Sequence, residues 1–137
     1  MKINLFETFA GIGSQYKALK NIEKELGINV NSLGCTEFYI DAILIYQLIH
    51  YGKLQPEKEL THNQMASLLS EFTFSSNSKE IVSSNYFARM KQDKLASIFT
   101  YLYSFVNNTY FNKVYNNRIR EREREKRNWH YKVRSTA

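Results

Sequence analysis

Cysteine, proline and long apolar runs are scarce in this chain, and each scarcity removes a class of answer. Its 137 residues contain one cysteine, Cys35, and one proline, Pro56. A single thiol excludes an internal disulfide, and three scattered histidines, His50, His62 and His130, lack the ligand spacing of a zinc site, so no metal is expected. The first stretch is too short and too polar to span a bilayer, and no charged, apolar, small-residue series marks an export signal. The chain is therefore expected in the cytoplasm, with no membrane partner.

What is present is enough for one core and an appendage. Hydrophobic residues make up 43% and aromatic residues 15% of the chain, which at this length can enclose one core but hardly two. The net charge of +6 is unevenly placed. Residues 1–112 carry ten Lys/Arg against ten Asp/Glu, whereas residues 113–137 carry nine against three. A neutral body with a basic end presents one electrostatic handle to an acidic partner, most often nucleic acid.

Apolar spacing predicts the order of elements. Ile3 to Phe9 suits a buried parallel strand. A helix follows from Ser14, with Tyr16, Leu19, Ile22 and Leu26 on one face and Gly27 as its stop. Val30 to Thr36 forms a second strand. Ile40 to Tyr51 is apolar almost all round, which fits a helix covered on several sides and closed by Gly52. After Leu54-Gln55-Pro56, Thr61 and Gln64 form a capping-box pattern ahead of Met65, Leu68, Leu69 and Phe72. The serine-rich residues from Ser75 to Ser84 read as a loop. A helical stripe then runs through Phe87, Met90, Leu95, Ile98, Leu102 and Phe105 until Asn107-Asn108 breaks it. Tyr110, Phe111, Val114, Tyr115 and Ile119 carry a last amphipathic segment into the charged end.

Within this pattern, Leu5-Phe6-Glu7-Thr8-Phe9-Ala10-Gly11-Ile12-Gly13-Ser14 is a strand running into a glycine-paired turn, and 24 residues after Gly13 stands Glu37, at the end of the second strand. Gly-x-Gly lets the backbone pass close to a ligand, and the helix behind it aims free N–H groups at that ligand. An acidic side chain at the end of the neighbouring strand can accept bonds from both ribose hydroxyls. By itself the glycine pair also fits a turn shaped for geometry alone.

The whole phrase resembles the opening of the DNA cytosine-5 methyltransferases, above all the phage and mobile-element branch, whose first motif reads acidic-x-Phe-Ala-Gly-x-Gly. The resemblance covers roughly residues 3–54 and, more weakly, the helical stretch to about residue 106. It implies that Phe9, Gly11 and Gly13 line S-adenosylmethionine, that Glu37 holds its ribose, and that Phe38 lies against the adenine, with Glu7 matching the acidic residue that opens the motif. Two parts of the family pattern are missing. Cys35 is followed by threonine and Pro56 by glutamate, so no Pro-Cys pair supplies the thiolate that must attack the cytosine ring. The Glu-Asn-Val tripeptide is missing as well. Alone, the chain is not expected to methylate DNA, and catalytic residues are expected to be none. Cys35 reads as a small buried hydrophobe.

The end of the chain, Arg118-Ile119-Arg120-Glu121-Arg122-Glu123-Arg124-Glu125-Lys126-Arg127, alternates in sign. As a helix it would pair Arg118 with Glu121, Arg120 with Glu123 and Arg122 with Glu125, each pair adding about 0.2–0.5 kcal/mol, and form a solvated rod. Strong helix formers favour that geometry over a strand. Yet three acids cannot neutralise nine basic residues, and Trp129 stands near Lys132 and Arg134. Surplus cations beside rings suit phosphate neutralisation with base stacking, or an acidic groove on a protein.

The expected fold is α/β: a truncated Rossmann-like βαβα unit over residues 1–54, a mostly helical extension over 55–112, and a basic C-terminal helix over 113–137. Two strands leave sheet edges open, so self-association into a homo-oligomer is expected. Two functional classes follow. In the first, a non-catalytic, methyltransferase-derived phage or mobile-element protein inhibits or modulates a host nucleic-acid enzyme in an anti-CRISPR or anti-restriction role. Its basic end, Arg118, Arg120, Arg122, Arg124, Lys126, Arg127, Trp129, Lys132 and Arg134, would bind nucleic acid or a complex such as a Cas nuclease. In this class no cofactor is needed. In the second, the chain is the S-adenosylmethionine-binding subunit of a split cytosine-5 methyltransferase.

Overall fold

A computed structural model describes residues 1–116. Strand β1 (Lys2–Glu7) leads through a tight turn into helix α1 (Ser14–Leu26), strand β2 (Asn29–Cys35) and helix α2 (Ile40–Tyr51). Helices α3 (His62–Ser70) and α4 (Gln92–Val106) follow, and a fifth, α5, occupies residues 108–116 at the end of the described residues. The strands pair in parallel from Lys2 opposite Asn29 to Glu7 opposite Cys35, with an irregularity between Leu5 and Phe6. This is an α/β architecture, a truncated Rossmann-like unit followed by helices.

Local chemistry explains most boundaries. Gly27 ends α1 in the left-handed conformation, its N–H donating to the Glu23 carbonyl, as expected where a Cβ would be penalised. Thr61 and Gln64 form the reciprocal capping box, with Gln64 N–H on Thr61 Oγ1 at 3.3 Å and Thr61 N–H on Gln64 Oε1 at 2.9 Å. Asn107 is extended, ends α4, and accepts the Tyr110 N–H on its side chain at 2.9 Å, so one residue both stops a helix and caps the next. The stripe expected from Phe87 onward becomes regular helix only at Gln92. Residues 85–90 form tight turns instead, with Tyr86 N–H on the Ser83 carbonyl and Met90 N–H on the Phe87 carbonyl, and Phe87 is fully buried without being helical.

The core lies among the helices, not under the sheet. Ile40 and Ile43 of α2 meet Met65, Ala66 and Leu69 of α3, Leu95, Phe99 and Leu102 of α4, and Phe74, Phe87 and Tyr110. Gln47 ties α2 to α4 through its amide, which donates to Ser104 Oγ at 2.9 Å and to the Tyr101 carbonyl at 3.3 Å.

Two sequence expectations, for β1 and α2, need correction, and the apolar face of α1 is left largely uncovered. Strand β1 is not buried: Lys2, Asn4 and Phe6 are exposed, Ile3 and Leu5 half-buried, and only Glu7 is enclosed. Helix α1 buries no residue fully, and Ile22 and Leu26 of its apolar stripe are exposed. Helix α2, expected to be covered on several sides, packs one face while Ile45, Leu48 and Ile49 face outward. The shared cause is width, because two strands are too narrow a platform to cover an adjacent helix. The serine-rich segment also does more than connect. Ser75 is fully buried and bridges both Tyr39 and Ile81, with Ser75 N–H on the Phe38 carbonyl at 2.8 Å and Ile40 N–H on the Ser75 carbonyl at 2.9 Å. That bridge fixes the backbone immediately after Glu37.

Candidate cofactor site

The turn between β1 and α1 is built from left-handed residues. Phe9, Gly11 and Gly13 have φ of 50°, 55° and 73°. Its frame comes from β2: Ala10 N–H donates to the Thr36 carbonyl at 2.9 Å and Phe9 N–H to Thr36 Oγ1 at 3.3 Å, while Gly13 N–H closes on the Ala10 carbonyl at 2.8 Å. Phe9 is not a glycine, yet it holds a positive φ and leaves its ring 82% exposed. A non-glycine residue held in this region carries a conformational cost that the rest of the turn must offset.

The two glycines serve different needs. At Gly13 a Cβ would fall 2.2 Å from His50 Nε2 and 2.5 Å from the Tyr46 ring, so the chain itself occupies that space. At Gly11 nothing lies within 4 Å of the corresponding point. Gly11 therefore leaves backbone open on a side that no part of the described chain fills.

Glu37 meets this turn directly. Its Oε2 accepts Gly11 N–H at 2.9 Å, and its Oε1 accepts Phe38 N–H at 2.8 Å and Tyr39 N–H at 3.0 Å. Burial pushes the carboxyl up, but the three backbone donors outweigh it and hold the group below its usual value. A carboxylate has about four acceptor positions, so roughly one remains free on Oε2. A ligand offering one hydroxyl can be accepted as the site stands. One offering two requires Glu37 to release the Gly11 N–H.

Glu7 is buried beneath the turn and supports it. Its Oε1 accepts Tyr16 N–H at 3.3 Å from the first turn of α1, and its Oε2 accepts the Tyr46 hydroxyl at 3.5 Å. His50 makes tilted ring contacts with Tyr46 and Tyr16, with ring centroids 4.3 and 5.3 Å away, and meets the Ile12 carbonyl at 3.1 Å. Tyr46 and His50 were not legible as site residues, because their roles depend on which α2 residues face the turn, and Thr36 was not because its bonds to Phe9 and Ala10 depend on how the turn lies against the end of β2. Gly-x-Gly with a distant aromatic-x-x-x-His was the only signal, and it has no generic meaning.

Among the expected cofactor contacts, Phe9, Gly11 and Gly13 share the turn, Glu37 bonds to it, and half-buried Phe38 follows on the same backbone. Cys35 is half-buried rather than buried. Burial raises its thiol above the usual value, an effect partly offset by its bond with Tyr46, so its environment disfavours the thiolate. Among the described residues no cluster of His, Cys, Asp or Glu could hold a metal ion, and no helix is long and apolar enough to cross a membrane. The basic candidates Arg118, Arg120, Arg122, Arg124, Lys126, Arg127, Trp129, Lys132 and Arg134 lie outside the described residues.

No family model matches the chain. Over 101 residues, 72% of its length, the sequence is 40% identical to the orphan methyltransferase M.SssI of Spiroplasma monobiae. This chain is methyltransferase-like. The match bears out the resemblance drawn from the glycine motif and Glu37, and it extends past the two-strand unit into the helices. The chain spans about a quarter of the length of the curated relative it matches. It is thus a partial match to a methyltransferase, and the Pro-Cys pair is missing from the sequence given.

Proposed function

We propose that this chain is the S-adenosylmethionine-binding portion of a DNA cytosine-5 methyltransferase unit whose nucleophile is supplied by other polypeptide. The observation that carries this reading is the Glu37 carboxylate, held against Gly11 N–H with an acceptor position to spare, beside backbone that the chain leaves uncovered. Glu37 would take a ribose hydroxyl, the Phe9–Gly13 turn would pass along the ligand, and Phe38 would flank the adenine. When bound, S-adenosylmethionine supplies an activated methyl group. The outward apolar residues Phe6, Leu33, Ile45, Leu48 and Ile49 are the surfaces that completing strands and helices would cover. Binding of the cofactor to the folded chain alone is expected to raise its melting temperature with ligand concentration. Adenine without ribose should not, and an unchanged melting temperature at millimolar S-adenosylmethionine contradicts the reading.

One observation favours a second reading. Nine basic residues against three acidic ones in residues 113–137 suit an acidic partner, so a non-catalytic, methyltransferase-derived modulator of a nucleic-acid enzyme, of anti-CRISPR or anti-restriction type, is the alternative. It predicts that neutralising Arg118, Arg120, Arg122, Arg124, Lys126 and Arg127 abolishes binding to single strands. It also predicts a log–log salt slope of about −0.7 per phosphate contact in the unaltered chain. A flat salt profile excludes phosphate binding as the purpose of this segment.

A further inference from the structure

The glycine turn owes its shape to the far end of α2, more than thirty residues away. At Gly13 the missing side chain is replaced by His50 and Tyr46, which press on the backbone where a Cβ would stand. His50 also reaches the Ile12 carbonyl at 3.1 Å. A carbonyl only accepts, so the ring nitrogen facing it carries the proton. Tyr46, 4.3 Å from His50 between ring centroids, passes the same constraint to buried Glu7, and Glu7 holds Tyr16 N–H at the start of α1. Strand end, turn and helix start are thereby fixed to α2 by two hydrogen bonds, His50 to the Ile12 carbonyl and Tyr46 to Glu7, and by tilted ring contacts.

We propose that His50 is a positioning residue for cofactor binding. Its Nε2–H anchors the Ile12 carbonyl, which sets the Ile12–Gly13 peptide and so the direction in which the open side of the turn faces. It need not touch the ligand itself. The inference rests on the S-adenosylmethionine reading for its functional meaning, while the anchoring is a property of the chain alone.

Packing and hydrogen bonding at His50 are separable by substitution. H50F keeps a ring between Tyr16 and Tyr46 but removes the donor, whereas H50Q keeps a donor near the Nε2 position and removes the ring. Losing a single hydrogen bond that orients the site is expected to weaken S-adenosylmethionine binding about tenfold in H50F and H50A, with H50Q restoring most of it. Circular dichroism melting of the three variants identifies any that fail to fold. Equal affinity in H50F and the unaltered chain, or an H50Q loss as large as that of H50A, overturns the proposal. If the unaltered chain binds no cofactor, the binding reading fails and amide exchange still decides the anchoring. Gly13 N–H, bonded to the Ala10 carbonyl at 2.8 Å, should exchange at least about tenfold faster in H50F, while core amides of α3 keep their protection. Unchanged Gly13 protection overturns it.

Discussion

Gly13→Ala is expected to be among the most damaging single substitutions in the chain, costing about 3 kcal/mol or more and raising the urea sensitivity of the whole fold accordingly. Two penalties add. The backbone at Gly13 is left-handed, with φ 73°, which a residue with a Cβ adopts at a cost of about 1–2 kcal/mol. The new methyl would also meet His50 Nε2 at 2.2 Å and Tyr46 Cε2 at 2.5 Å, and neither ring can retreat freely, since Tyr46 is buried and His50 has the Tyr16 and Tyr46 rings against it. Gly11→Ala provides the internal control. Its φ is 55° and the space around it is open, so only the conformational penalty of about 1–2 kcal/mol applies. Equal denaturation midpoints for the two variants would contradict this account of the turn.

Glu37→Ala should impair both stability and binding. Three backbone N–H groups, of Gly11, Phe38 and Tyr39, lose their acceptor at once. Because the site is partly open to water, which can replace some of these bonds, the expected cost is about 2 kcal/mol. Glu37→Gln is no gentle alternative, since its amide nitrogen would face a backbone donor with a donor of its own. The pH dependence follows in sign. The folded carboxyl lies below its usual value of 4.5, so its contribution is complete above that pH and declines as pH falls through the folded pKa. Glu57 acts in the same direction. Burial raises it, but the Tyr110 hydroxyl at 2.5 Å and the backbone N–H groups of Glu59, Lys58 and Leu60 hold it low. Acid unfolding of Glu37→Ala should therefore be shallower below pH 4.5 than that of the unaltered chain, a difference that titration followed by circular dichroism measures.

The helix boundaries were legible because their signals are local. Gly27, Gly52 and the Thr61–Gln64 box act through the residues beside them, and α2 runs from Ile40 to Tyr51 as its apolar spacing suggests. Glu37 was legible because strand length and turn length fix its distance from Gly11. Burial was not. Ile22, Leu26, Ile45 and Leu48 have the composition of covered residues but lie exposed, because apolar spacing reports which face a helix would bury and not whether anything is there to bury it. Ser75 failed in the opposite sense, since a serine-rich run reads as solvated although one member is pinned between Phe38 and Ile40. Tyr46 and His50 were missed because their contact with Gly13 exists only once α2 has docked beside the turn.

The central claim is that the turn and Glu37 still form a cofactor site. Calorimetric titration of the purified chain with S-adenosylmethionine, repeated on Glu37→Ala, tests it most directly. Micromolar binding that the substitution removes, with the variant shown to be folded at the titration temperature, is the predicted result. No heat at millimolar ligand from the unaltered chain, or binding that survives in Glu37→Ala, would contradict it.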